Sequence, residues 1–173
     1  MPPPYSAALP IAYVVLRLLI ILNWLVGLAI LALLAAMPHE QWIMTAFKLT
    51  PSPEAERLIL GLRAVAIIGL ATIPLNYIVL KRLLAMAQTV RAGDPFVAAN
   101  AQRLQTIGWI LLALQLLSLL IGAIGEAISS AKHPVDLNAG FSVNGWLAVL
   151  LTFVLARIFA EGARMRDELE GTI

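Results

Sequence analysis

Long apolar stretches separated by short polar segments set the pattern of this chain. Each stretch holds about the 20 residues that a helix needs to cross about 30 Å of hydrocarbon. Residues 104–125 and 137–156 contain no charged side chain at all. Alternation of period two, which would indicate a β-barrel, is absent. The pattern predicts an all-α integral membrane four-helix bundle in one domain, residues 1–173, with spans and their extensions at residues 11–37, 58–90, 101–128 and 137–166.

The composition agrees with a bilayer environment. Hydrophobic residues make up 61% of the chain and charged residues 13%, against about 45–50% and about 25% in soluble domains. These values exclude a water-soluble enzyme, a disordered tail and a secreted disulfide scaffold. The net charge of +2 is small and scattered, so no direct nucleic-acid binding is expected. The absence of cysteine excludes disulfides and thiolate metal sites.

The distribution of basic residues predicts the orientation. With four spans, the termini and the loop between spans two and three share one side of the membrane. The positive-inside rule assigns the more basic side to the cytoplasm. That side carries six basic residues and the other side three; they are Lys81, Arg82, Arg91, Arg103, Arg164 and Arg166 against Lys48, Arg57 and Lys132. Both termini are therefore predicted to be cytoplasmic.

Charged side chains within spans are costly and make candidates for function. They are Arg17, Arg63, Glu126, Arg157 and Glu161. Arg63 and Glu126 lie at the same predicted outer depth, which favours an ion pair between them. Arg17 lies at an inner depth near the i,i+4 pair Arg157–Glu161. These two charge layers either fix helix register and rotation or line a path for ions or a small solute, and the sequence leaves both readings open.

Turn and cap signals mark the connections. Glu54 and Glu56 suit the first turn of the second helix, and residues 41–49 suit either a short interfacial helix or a loop. Gly93 suits a helix C-cap, after which Asp94-Pro95 would cap and start the next helix. Asn100 would cap the third span, unless the two pieces form one long helix.

One face of the third helix carries small and polar residues spaced by three or four positions. Such a face allows close approach of another backbone, so we expect it to pack against a neighbouring helix. Its members are Gln115, Ser118, Gly122 and Glu126.

Catalytic and cofactor chemistry find little support in the chain. The only histidines are His39 and His133, and both fall in predicted outer loops, where they cannot hold a haem within the membrane. A surface metal site from these histidines and Glu40 is conceivable but lacks metal-ligand spacing. No span offers a serine–histidine pair or two close carboxylates. We expect no catalytic residue, no cofactor and no metal.

Two segments on the predicted cytoplasmic side resemble a known family. The first reads G-x-P-F…N…L…IG, and the second is a charged helix that closes in Thr-Ile. The matching residues are Gly93, Pro95, Phe96, Asn100, Leu104, Ile107, Gly108, Phe159, Gly162, Leu169, Thr172 and Ile173. From about residue 58 onward the chain is similar to the bacterial four-span membrane proteins called domain of unknown function 2975.

The resemblance implies a small multi-pass protein of the bacterial inner (plasma) membrane, often encoded beside a short helix-turn-helix regulator. It therefore implies a membrane-bound partner for such a transcriptional regulator, with the motif Gly93, Asp94, Pro95, Phe96 and Asn100 facing it. The competing interpretation is that this motif only forms a tight turn. The alternative function is a small transporter, a channel or an accessory subunit of a larger membrane complex. The sequence is also compatible with a homo-oligomer.

Overall fold

A computed structural model describes residues 8–37, 52–129, 135 and 137–170 of the chain. In these ranges the backbone forms four α-helices and no strand. The helices are α1 (Ala8–Ala36), α2 (Pro53–Arg91), α3 (Ala98–Ile128) and α4 (Val143–Glu170). The all-helical prediction is confirmed for this part of the chain. His39, Glu40, His133 and the segment 41–49 lie outside the described residues.

Every helix is long and apolar enough to cross a membrane. The shortest, α4, has 28 residues and is therefore about 42 Å long at 1.5 Å per residue. Large apolar side chains lie on the outside of the helices, with Leu28 66%, Leu60 62% and Leu150 61% exposed. Water would disfavour this surface and lipid tails would not. The chain thus has the architecture of a multi-pass membrane protein.

Local signals explain where α2 begins. The Oγ of Ser52 accepts a hydrogen bond from the backbone N–H of Ala55 at 3.2 Å, which makes Ser52 the N-cap. Pro53 occupies the first helical position, where its missing N–H costs nothing. Glu54 and Glu56 lie in the first turn, as predicted, where their charge suits the positive end of the helix dipole.

The contacts divide the chain into two compact units. The first unit contains the described parts of residues 1–23, 74–113 and 143–173, and the second contains those of residues 24–73 and 114–142. In the first unit, Leu104 and Ile107 of α3 and Ala156 of α4 are buried. In the second unit, Met37 packs on Ile59 of α2.

The start of α4 differs from the prediction. The helix begins at Val143 rather than at residue 137. Asn138 has a φ of 46° and Gly140 a φ of 127°, and neither value is compatible with a right-handed helix. The apolar run alone marked residues 137–142 as helical, because hydropathy carries no information about these two backbone angles.

The segment before α4 packs on the small-residue face of α3, within the second unit. Ser118 Oγ accepts a hydrogen bond from Gly140 N–H at 3.2 Å and donates one to Gly140 O at 3.3 Å. A Cβ on Gly122 would lie 2.8 Å from Gly140 Cα. The predicted close approach is present, but the neighbour is non-helical backbone instead of a helix. Backbone polar groups in an apolar environment need such partners.

Candidate functional site

The turn between α2 and α3 is closed by a Schellman motif. The N–H of Gly93 donates to Val90 O at 3.1 Å, and the N–H of Asp94 donates to Thr89 O at 3.0 Å. Gly93 has a φ of 84°, a conformation that other residues adopt at a cost of about 1 kcal/mol. The prediction that Gly93 caps the helix is confirmed.

The backbone after Gly93 departs from the prediction. Residues 94–97 are not helical, and α3 begins only at Ala98. Asp94-Pro95 therefore does not start the helix, because residues 94–97 carry the chain across from α2 to α3. The carbonyl of Val97 accepts the first bond, from Asn100 N–H at 2.8 Å. The alternative of one long helix without a cap at Asn100 agrees better with the structure, because α3 runs unbroken from Ala98 through Asn100 to Ile128.

Asn100 is the fully buried polar residue of this turn, with 0% exposure. Its Nδ2 donates to Thr89 Oγ1 at 2.7 Å and to Pro95 O at 2.8 Å. Its Oδ1 accepts from Arg103 Nη1 at 2.7 Å. The predicted capping role is wrong, since Asn100 lies inside the first turn of α3. Instead, its side chain joins the end of α2, the turn and α3, with both amide hydrogens used.

The same turn packs against α4. The rings of Phe96 and Phe159 have centroids 5.3 Å apart and are inclined at 39°, a favourable tilted arrangement. A Cβ on Gly162 would lie 2.8 Å from Phe96 Cδ1, so the glycine makes room for the ring. Asp94 Oδ1 accepts from Arg166 Nη1 in an ion pair at the edge of this contact.

We call this contact the turn–α4 junction and define it by the residues just described: Thr89, Gly93, Asp94, Pro95, Phe96, Asn100, Phe159, Gly162 and Arg166. It brings together all five predicted motif residues and two of those in the second segment. Leu169 is 72% exposed, whereas Thr172 and Ile173 lie outside the described residues. The two segments that resemble the family are therefore in direct contact with each other.

Charged residues of α4 that are not part of the junction form ion pairs with each other along the helix. Arg164 Nη2 lies 2.6 Å from Glu161 Oε1, and Arg164 Nε lies 3.8 Å from Glu168 Oε1. The predicted Arg157–Glu161 pair is wrong, because Glu161 turns toward the C-terminal end of the helix and meets Arg164. These side chains are exposed, and such pairs contribute about 0–1 kcal/mol each.

The other charged residues that were predicted to lie within spans are not members of the junction. The guanidinium of Arg17 lies 4.7 Å from the ring centroid of Tyr13 on the same helix. Arg63 Nη2 donates to the carbonyl of Met37 at 2.9 Å. Glu126 is exposed near the end of α3. The pairing of Arg63 with Glu126 and the two charge layers stay predictions.

Sequence reasoning missed two of the nine residues of the turn–α4 junction, Thr89 and Arg166. Thr89 and Arg166 carried no signal of their own, since isolated polar residues are common at membrane surfaces. Gly162 offered one indirect signal, because a glycine inside a helix often marks close packing. Within the described ranges, no three residues of the His, Cys, Asp or Glu type gather as a metal site would require.

Comparison with known proteins supports the family resemblance. The family model for a protein of unknown function (DUF2975) matches residues 33–173, which include both segments of the junction. No curated protein and no solved structure matches the chain.

Proposed function

We propose that this chain, which belongs to the DUF2975 family of proteins of unknown function, is a non-enzymatic protein of the bacterial plasma membrane that binds a soluble cytoplasmic protein. The partner class is a small helix-turn-helix transcriptional regulator, as the family resemblance implies. The protein would hold this regulator at the membrane and so control how much of it reaches DNA.

The observation that carries the proposal is the turn–α4 junction. It fixes the α2–α3 turn onto the charged half of α4 through an aromatic contact, an ion pair and a close glycine contact. A surface held by three different contacts loses little conformational entropy when a partner binds. Asn100 is buried and cannot itself contact a partner, so its part in the junction is to hold the surrounding surface in place.

The length of α4 supports the same role. Residues 143–156 are uncharged, whereas seven of residues 157–170 are charged. Those 14 residues extend the helix by about 21 Å beyond its apolar part. Exposed charges there, including Arg164, Asp167 and Glu168, offer a mixed-sign surface of the kind that selects a protein partner by complementarity.

The test is co-purification of the full-length chain with a co-expressed helix-turn-helix regulator. We expect wild type to retain the regulator and the double variant Asp167→Asn/Glu168→Gln to lose most of it. Glu126→Gln is the control, because it removes an exposed acid of α3 that is not part of the charged half of α4 and should not change retention. Equal retention by the double variant and the control would contradict the proposal, as would stable co-migration with a respiratory or transport complex alone.

Topology provides an independent test. Since the chain has no cysteine, single cysteines at the exposed positions 126 and 167 can be labelled with an impermeant thiol reagent. We expect Glu126→Cys to react in intact cells and Asp167→Cys to react only after permeabilisation. Labelling of residue 167 in intact cells would place α4's charged half outside the cytoplasm and remove the basis of the proposal.

A further inference from the structure

A groove between α3 and α4 in the first unit is separate from the turn–α4 junction. Its volume is about 510 Å³, within the range of about 300–1,000 Å³ typical of small-molecule sites. Five alanines line it and leave the space between the helices open. Gln102 and Gln105 of α3 and Phe153 and Arg157 of α4 also line it.

The groove lies where both helices change from apolar to charged. On α4, Arg157 is the first charged residue after the uncharged residues 143–156; on α3, Arg103 is the last before the uncharged residues 104–125. In a helix that crosses a bilayer, this boundary marks the level of the lipid headgroups. Phe153 lies on the apolar side of the boundary and Gln102 on the polar side.

Arg157 gives this groove an uncompensated positive charge. It is exposed, and its nearest acid on the helix, Glu161, is bound by Arg164 at 2.6 Å. Among the ion pairs of the described residues, none involves Arg157. Asp167 also lines the groove, but ten residues of helix separate it from Arg157, a rise of about 15 Å.

We propose that this groove binds the phosphate of an anionic phospholipid. The Arg157 guanidinium donates to the phosphate oxygens, in the fork geometry that makes arginine a strong phosphate ligand. Amides of Gln102 and Gln105 supply further donors, and Phe153 contacts the start of an acyl chain. Basic pockets between membrane helices recognise anionic headgroups by this chemistry.

The test is native mass spectrometry of the full-length protein, titrated in detergent with phosphatidylglycerol, phosphatidylcholine or inorganic phosphate. We expect wild type to retain phosphatidylglycerol about tenfold better than phosphatidylcholine, and Arg157→Gln to lose that preference. Arg157→Lys should recover part of the preference, because lysine keeps the positive charge but lacks the forked guanidinium of arginine. Arg17→Gln is the matched control: it removes an exposed arginine outside the groove and should keep the preference, while circular dichroism verifies that each variant is folded.

Three outcomes would overturn the proposal. The first is an equal loss of the preference in Arg157→Gln and Arg17→Gln, which would indicate general charge attraction. The second is displacement of the lipid by inorganic phosphate at equal concentration, which would make a soluble anion the ligand. The third is a dimer that Arg157→Gln disrupts while lipid retention stays unchanged, which would make a second copy of the chain the occupant.

Discussion

Replacement of Asn100 by alanine tests the structural account of the turn most directly. The side chain is fully buried and makes three hydrogen bonds, two as donor and one as acceptor. After the change, the Thr89 hydroxyl keeps its own bond to Met86 O at 2.8 Å. The carbonyl of Pro95 loses its side-chain donor, and Arg103 loses its acceptor.

The size of the effect follows from these losses. A buried acceptor left without a donor costs about 1–3 kcal/mol, and each neutral hydrogen bond contributes about 0.5–1.5 kcal/mol. Arg103 is half-exposed and can bond to water instead, so its share is small. We therefore expect the free energy of unfolding to fall by about 2–4 kcal/mol, a large value for one substitution.

The assay is reversible unfolding of the full-length protein in mixed micelles, followed by circular dichroism. Gln102→Ala on the same helix is the control, because Gln102 is exposed and its loss should change the free energy by less than about 0.5 kcal/mol. Thr89→Val removes one of the three hydrogen bonds of Asn100, so its loss of free energy of unfolding should lie between those of Gln102→Ala and Asn100→Ala. An Asn100→Ala protein as stable as Gln102→Ala would refute the reasoning that this side chain holds the turn.

Three further substitutions test the close contacts. Gly162→Ala should destabilise the protein by about 1–3 kcal/mol through overpacking, and Phe96→Leu in the same chain should recover part of the loss; no recovery would mean that the ring is not the obstacle. Gly122→Ala should cost more in the same unfolding assay, because its neighbour is backbone at 2.8 Å and cannot rotate away; a smaller loss than for Gly162→Ala would be the contrary result. Arg166→Asp should lower the free energy of unfolding by less than about 1 kcal/mol, because the ion pair with Asp94 is exposed. The double variant Asp94→Arg/Arg166→Asp, which swaps the two charges, should restore stability at low salt. A double variant no more stable than Arg166→Asp would show that the ion pair contributes nothing.

Much of the local backbone structure of the turn between α2 and α3 follows from the sequence, but the contacts of its buried side chain do not. Gly93 was identified as a cap because a left-handed backbone at a helix end favours glycine regardless of the surroundings. Asn100 was mistaken for a cap, since asparagine favours that position in isolation. Its burial depends on Thr89 and Pro95, which only the packed turn brings within hydrogen-bond distance.

The pairing of the charged residues also depends on information that the local sequence does not contain. Glu161 has two arginines on its own helix at spacings that allow pairing, Arg157 and Arg164, and helix spacing alone does not select between them. The structure selects Arg164 and leaves Arg157 in the groove. Asp94 and Arg166 are 72 positions apart, so no local pattern could have joined them.

The number of helices and their apolar character follow from the amino-acid sequence alone, because hydropathy and length are local quantities that add along a segment. The junction between the turn and α4, the late start of α4 at Val143 and the position of Arg157 in a groove came only from the tertiary structure. Each of these depends on contacts between distant segments or on backbone angles, and neither is encoded in how apolar a stretch of chain is.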